Sequence, residues 1–133
     1  MCNDLLACVY TADTRELATR WSALEDELLD HMAAEEEIIL PHYVVHDYLD
    51  AQRIRDDHAR IRQLIAPMGL DVELHEARAD RLRRLIDEIR IHAMHEDAKM
   101  YPWANSNLPI IAEHQVVSRA GCWLKYPGRV ANQ

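Results

Sequence analysis

The sequence HMAAEEEIILP at residues 31–41 has a counterpart in HAMHEDAKMYP at residues 92–102. In both stretches a glutamate follows a histidine by four positions, and a proline follows that glutamate by six. Residues four apart lie one above the other on a helix, so each stretch places an imidazole and a carboxylate on one helical face. The repeat therefore predicts two similar helices whose polar residues share a core.

Each copy is followed, on the next helix, by a single histidine that an acidic residue precedes. These pairs are Asp57-His58 and Glu113-His114. Imidazole and carboxylate together favour Fe, Mn or Zn over Ca or Mg, which prefer oxygen ligands. Burial of these groups without partners would cost roughly 1–3 kcal/mol each, and metal ligation would satisfy all of them at once. The six candidate metal ligands are His31, Glu35, His58, His92, Glu96 and His114.

Apolar residues recur at steps of three and four, which predicts helices. The first helix begins near residues 11–13, and Pro41 is expected to kink or end it, because proline lacks the N–H that the preceding turn requires. Its expected buried face consists of Leu24, Leu28, His31, Glu35, Ile38, His42, Val45 and Leu49. The second helix runs from about residue 47 to residue 66, and Pro67-Met68-Gly69 is expected to close it as a turn. Its expected buried face consists of Ala51, Ile54, His58, Ile61 and Ile65.

A third helix starts after Asp71 and ends near Pro102 and the polar residues 105–107. Its expected buried face consists of Leu82, Leu85, Ile89, His92, Glu96 and either Met100 or Trp103. A fourth helix, from about Leu108 to Ala120, carries His114. Short connections and alternating direction predict a single all-α domain over residues 1–133, an antiparallel up-down four-helix bundle. Residues 1–12 would form an N-terminal arm, and residues 121–133 a C-terminal tail.

The composition narrows the range of functions. The 133 residues include 15 Lys and Arg against 23 Asp and Glu, a formal net charge of −8. This charge argues against binding nucleic acid or an anionic membrane through a broad basic face. No apolar stretch approaches the roughly 20 residues that span a bilayer. The three cysteines lack CxxC spacing and no basic signal region begins the chain, so a cytoplasmic location is expected.

These motifs resemble the hemerythrin-like (HHE cation-binding) family, and the segments DDHARI at 56–61 and EHQVV at 113–117 add to the resemblance. That family usually begins with a lone histidine, whereas no histidine here precedes His31. In an up-down bundle the first and last helices are neighbours, so a C-terminal helix can take the place of the first. We therefore interpret the chain as a circularly permuted domain in which His114 replaces the missing ligand. The structural alternative is a homodimer in which a second copy donates that helix.

The resemblance implies a centre of two iron ions, with Mn or Zn as alternatives. The four histidines among the six candidates would be nitrogen ligands, and Glu35 and Glu96 would bridge the ions. About two of twelve coordination positions would stay open to O2, peroxide or NO. Oxygen carriers of this family place a second histidine where this chain has Arg62, which argues against simple O2 transport. Asp97 is an alternative to Glu96, and His42 is a further candidate ligand.

The expected function is that of a non-haem di-iron oxidoreductase, of the oxygenase or the peroxidase and catalase type, with an organic substrate left open. The alternatives are a non-catalytic module that binds O2 or NO or senses iron, and a zinc-filled or metal-free structural bundle. Glu36 and Glu37 are expected to face solvent. His46, His75 and His95 would face solvent or support a ligand. Tyr43 and Tyr101, beside the two prolines, would be core residues or would hydrogen-bond a ligand.

Overall fold

The computed structural model describes residues 7–8, 13–73 and 78–108. Five α-helices and one π-helical turn lie within residues 13–73 and 78–108, residues 7–8 are helical too, and no strand occurs in any of the three ranges. The elements are α1 (Thr14–Ala34), the π turn (Glu35–Ile39), α2 (Leu40–His46), α3 (Tyr48–Glu73), α4 (Ala79–Ala98) and α5 (Met100–Asn107). This all-α bundle confirms the predicted fold class. The predicted fourth helix with His114, the tail and most of the N-terminal arm lie outside the described residues.

The first helix begins where its capping chemistry predicts. The Asp13 side chain accepts a hydrogen bond from the backbone N–H of Glu16 at 3.1 Å, which satisfies one of the donors left open in the first turn. From there Leu24 and Leu28 point into the core, as predicted. None of the described helices is long and apolar enough to cross a membrane.

The π turn shifts the buried face of the first helix by one residue. In a π turn the backbone hydrogen bonds reach five residues back, so the turn holds one residue more than an α-helical turn. Beyond Glu35 the buried residues are Ile39, Leu40 and Tyr43. The prediction of Val45 and Leu49 as core residues was wrong, because they are 87% and 80% exposed. His42 is exposed as well, and Ile38 is half-buried.

Pro41 does not end the helical course of the chain, because α2 continues to His46. Pro41 lies in the first turn of α2, directly after the π turn. The first turn of a helix is the place where the missing N–H of proline is tolerated best. The expected interruption therefore takes the form of a change in helix type before the proline.

The second predicted helix is longer than its pattern suggested. Its expected buried face is confirmed, but α3 runs through Pro67 to Glu73, so the prediction of a turn at residues 67–69 was wrong. Met68 and Val72 extend the buried face by two residues. Burial of such side chains contributes roughly 1.5–3 kcal/mol each, which is enough to offset a proline on the exposed side.

Gly69 allows α1 to approach α3 closely. A Cβ atom at this position would lie 3.3 Å from Glu25 Oε2 and 3.5 Å from Trp21 Nε1. At the opposite end of α3, the hydroxyl of Tyr43 in α2 donates to Asp50 Oδ2 at 2.6 Å. The continuous helical course from α1 to α2 therefore runs antiparallel to α3.

Ion pairs at opposite ends show that α3 and α4 are antiparallel too. Arg81 Nη1 lies 2.8 Å from Asp71 Oδ2, whereas Lys99 Nζ lies 3.2 Å from Asp47 Oδ2. All predicted core residues of α4 are buried, and so is Met100 at the start of α5. Two apolar clusters result, one among α1, α3 and α4 and the other among α2, α3, α5 and the π turn. A layer of polar side chains separates them.

A matched pair of leucine variants tests the shift in register. Leu40→Ala should lower the free energy of unfolding by about 2–5 kcal/mol, because Leu40 is fully buried. Leu49→Ala is the same change at an exposed position and should stay within about 0.5 kcal/mol of the parent. Urea unfolding followed by circular dichroism measures both. A larger loss for Leu49→Ala than for Leu40→Ala would contradict the described register.

Candidate metal centre

Four buried side chains from three segments converge in the polar layer. Glu35 comes from the π turn, His58 from α3, and His92 and Glu96 from α4. Each offers one ligand atom, and these atoms all lie within 4.8 Å of one another. Nε2 of His92 is 3.0 Å from Oε2 of Glu96, and Nε2 of His58 is 3.6 Å from the same oxygen. The four-residue spacing of His92 and Glu96 thus brings both to one face of α4.

His31 joins this cluster through Glu35. Oε1 of Glu35 is 3.3 Å from Nε2 of His31 and 3.3 Å from Nε2 of His58. His31 is buried, although it is not one of the four residues that are all mutually close. The structure therefore brings five of the six predicted ligands together, and the sixth, His114, lies outside the described residues.

The cluster holds buried polar atoms that make no hydrogen bond in the structure. They are Nε2 of His58, Nε2 of His92, Oε1 of Glu35 and both carboxylate oxygens of Glu96. A buried polar atom without a partner costs about 1–3 kcal/mol, and more when it is charged. A cation bound among these atoms would accept their lone pairs and remove that cost. The residues present therefore fit a metal ion.

The other nitrogen of each imidazole is bonded to a carboxylate. Nδ1 of His58 donates to Glu36 Oε2 at 2.7 Å, and Nδ1 of His92 donates to Asp57 Oδ2 at 3.1 Å. The Nε2 atoms are left to face the cluster, which is the arrangement common to metal-binding histidines. The expectation that Glu36 faces solvent was wrong, because Arg62 and His58 both bond it. Asp57, on α3, thus bonds His92 of α4 and not His58, its neighbour in sequence.

These contacts set the charge of the cluster. Burial alone would lower the pKa of His58, but the adjacent carboxylates of Glu35, Glu36 and Glu96 raise it to about 11. Burial likewise opposes the charged form of His92, yet the charge of Glu96 and the bond to Asp57 raise its pKa to about 9. The protein as described therefore holds protons on imidazoles beside its carboxylates. A bound cation would take the place of those protons.

The pKa values of the glutamates Glu35 and Glu36 are lowered. Burial raises the pKa of Glu35, but the charge of the adjacent His31 and the close approach of His58 outweigh it and hold that pKa well below the usual range. Burial also raises the pKa of Glu36, whereas hydrogen bonds from His58 and Arg62 lower it to about 2. Both residues are therefore carboxylates at neutral pH and are ready to act as anionic partners.

The two buried glutamates, Glu35 and Glu96, differ in their hydrogen bonding because of Tyr101. Its hydroxyl donates to Glu35 Oε2 at 2.5 Å, whereas neither oxygen of Glu96 has a hydrogen-bond partner. Both roles predicted for Tyr101 are observed, because its hydroxyl bonds a candidate ligand and its partly buried ring packs against the second apolar cluster. Tyr43 is buried and bonds Asp50, which is not a candidate ligand.

The remaining candidates lie away from the cluster. His42 and His46 are exposed, Asp97 is half-buried, and none of the three belongs to the convergent set. Nε2 of His95 bonds Asp50 Oδ1 at 2.6 Å in a mostly buried position. His75 lies outside the described residues. Glu96, rather than Asp97, is therefore the carboxylate that α4 brings to the site.

The model of one protein family, the hemerythrin HHE cation-binding domain, matches residues 1–104. The chain belongs to this family. The matched range includes both HxxxE motifs and His58 and ends before His114, so the circular permutation stays a prediction. No curated protein and no solved structure matches the chain.

A pair of tyrosine variants tests the role of Tyr101. Tyr101→Phe leaves Glu35 Oε2 buried without its donor, so the metal-free protein should lose about 1–3 kcal/mol of its free energy of unfolding. Tyr48→Phe removes a hydroxyl from a side chain that is 63% exposed and should have little effect. Urea unfolding in the presence of a chelator measures the difference. Equal stabilities of the two variants would contradict a buried bond to Glu35.

Proposed function

We propose that the chain binds two iron ions in the polar layer of the bundle and that this centre activates or decomposes O2 or peroxide. The single observation that carries the proposal is the position of Glu35 Oε1. This buried oxygen makes no hydrogen bond and lies 3.3 Å from imidazole nitrogens of two different helical segments. An oxygen so placed suits a carboxylate shared between two cations. The ligands are His31, Glu35, His58, His92, Glu96 and His114.

The contacts support a division of these ligands between the two ions. His58 and His92 approach Glu96 together, and with the two carboxylates they would hold the first ion. His31 approaches Oε1 of Glu35 from α1 and would bind the second ion. By the symmetry of the sequence repeat, the lone histidine of the second copy, His114, would join His31 there.

Bound iron would supply the redox chemistry and open coordination positions for O2, peroxide or NO. The chain supplies the surroundings. Burial of the polar layer between two apolar clusters excludes water and strengthens electrostatic interactions within it. The Tyr101 hydroxyl holds one oxygen of Glu35, and Glu36 and Asp57 hold the outer nitrogens of His58 and His92.

Metal content together with turnover tests this proposal. Protein expressed with added iron should contain about two irons per chain by elemental analysis, and it should consume peroxide or O2 faster than free iron does. Two irons without turnover would favour the non-catalytic O2- or NO-binding module. Zinc alone, or no metal after iron loading, would contradict a di-iron centre and leave a structural bundle.

Single-histidine variants test the assignment of ligands. His58→Ala should lose about one iron per chain, because it removes one of the two imidazoles that would hold the first ion. His114→Ala should retain about one iron per chain, since only the second ion would lose a ligand. His42→Ala changes an exposed histidine of α2 and serves as the control with full iron content. Elemental analysis of folded protein, checked by circular dichroism, gives the result. Full iron content in His114→Ala would exclude this residue from the site.

A further inference from the structure

Each imidazole of the convergent cluster is bonded to a carboxylate that also accepts hydrogen bonding from an arginine. In the first of these triads, Arg62 grips Glu36 through two hydrogen bonds, from Nη1 to Oε2 at 2.8 Å and from Nη2 to Oε1 at 2.9 Å. Nδ1 of His58 donates to the same Oε2 at 2.7 Å. A bond through both nitrogens fixes the plane of the carboxylate as well as its distance.

The second triad has the same order of groups, with Asp57 and Arg60 on α3 and the imidazole of His92 on α4. Nη2 of Arg60 donates to Asp57 Oδ1 at 2.9 Å, and Nδ1 of His92 donates to Asp57 Oδ2 at 3.1 Å. Arg60 and Arg62 lie on α3, two and four residues after His58. Through these two arginines, α3 supports the carboxylates that bond Nδ1 of its own His58 and Nδ1 of His92 on α4.

An anchored carboxylate restricts an imidazole in two ways. The carboxylate accepts a hydrogen bond from Nδ1–H, so the lone pair of a neutral ring lies on Nε2, the atom that faces the cluster. It also opposes rotation of the ring about the bond to its Cβ atom. Without an arginine, the carboxylates of Glu36 and Asp57, with 27% and 16% of their side chains exposed, could turn toward water.

We propose that Glu36 with Arg62, and Asp57 with Arg60, are positioning pairs that hold Nε2 of His58 and of His92 toward the bound cation. This inference rests on the proposed metal centre. It gives Arg62 a task of its own, because the guanidinium acts through Glu36 on His58 and does not itself approach the cluster. The pairs orient the two imidazoles for metal binding, whether or not a reaction follows. The affinity for metal therefore measures their effect directly.

Cobalt(II) titration of the metal-free protein tests the pairs. Glu36→Gln and Asp57→Asn should each bind Co2+ about 10–100-fold more weakly than the parent, which is the usual effect of removing a partner of a metal-bound histidine. The amide NH2 group cannot accept a hydrogen bond, so each variant loses at least one of the bonds that join the arginine and the imidazole through the carboxylate. The visible absorption of the bound Co2+ should shift in each, because the ligand geometry relaxes.

The arginine variants separate anchoring from charge. Arg62→Gln should weaken Co2+ binding by about tenfold, the lower end of the expected range, because Glu36 is retained but loosely held. Arg62→Lys should recover part of that loss, since lysine restores the charge without the two-pronged bond. Arg55→Gln removes the same charge from an exposed position of α3 and should bind Co2+ as the parent does.

Urea unfolding of the metal-free variants separates positioning from a merely structural role. A structural role would lower the free energy of unfolding while the folded variants bound Co2+ with the affinity and spectrum of the parent, and that result would overturn the inference. Co2+ affinities of Glu36→Gln and Asp57→Asn within about twofold of the parent would overturn it too. A parent chain that bound no Co2+ would instead overturn the proposed metal centre, and the inference with it.

Discussion

Two carboxylates buried in the middle of a helical bundle impose the constraint on which the rest of the structure depends. Glu35 and Glu96 are fully buried, and a carboxylate removed from water without partners is strongly destabilising. Imidazoles at contact distance and the Tyr101 hydroxyl supply part of what water would have supplied. The atoms that stay unsatisfied all belong to groups able to ligate a cation. The polar layer thus connects the stability of the bundle with its affinity for metal.

The π turn adjusts the first helix to this layer. It begins at Glu35 and gives two consecutive glutamates different partners, because Glu35 faces the cluster and Glu36 bonds His58 and Arg62. Beyond the turn, Leu40 and Tyr43 enter the second apolar cluster. Single π turns within helices often occur at functional sites. Here the turn lies at the residue that contacts two imidazoles.

Much of the site follows from the sequence because helix geometry is regular. The HxxxE spacing places His92 and Glu96 on one face of α4, and the repeat relates them to His31 and Glu35. The contacts of Glu36, Arg62 and Tyr101 depend on how closely neighbouring helices approach. Periodicity assigns a residue to a helix face but does not give its distance from another helix. The π turn and the passage of α3 through Pro67 were missed for a related reason, since burial of distant side chains determines both.

The central claim is that one layer of the bundle holds two iron ions that share Glu35 and Glu96. Crystals grown with iron and measured on both sides of its absorption edge test this most directly, since anomalous peaks that rise sharply above the edge belong to iron. The account predicts two peaks, one beside His58 and His92 and the other beside His31, with both carboxylates in contact with each. A single peak, peaks only at the surface, or zinc in their place would contradict it.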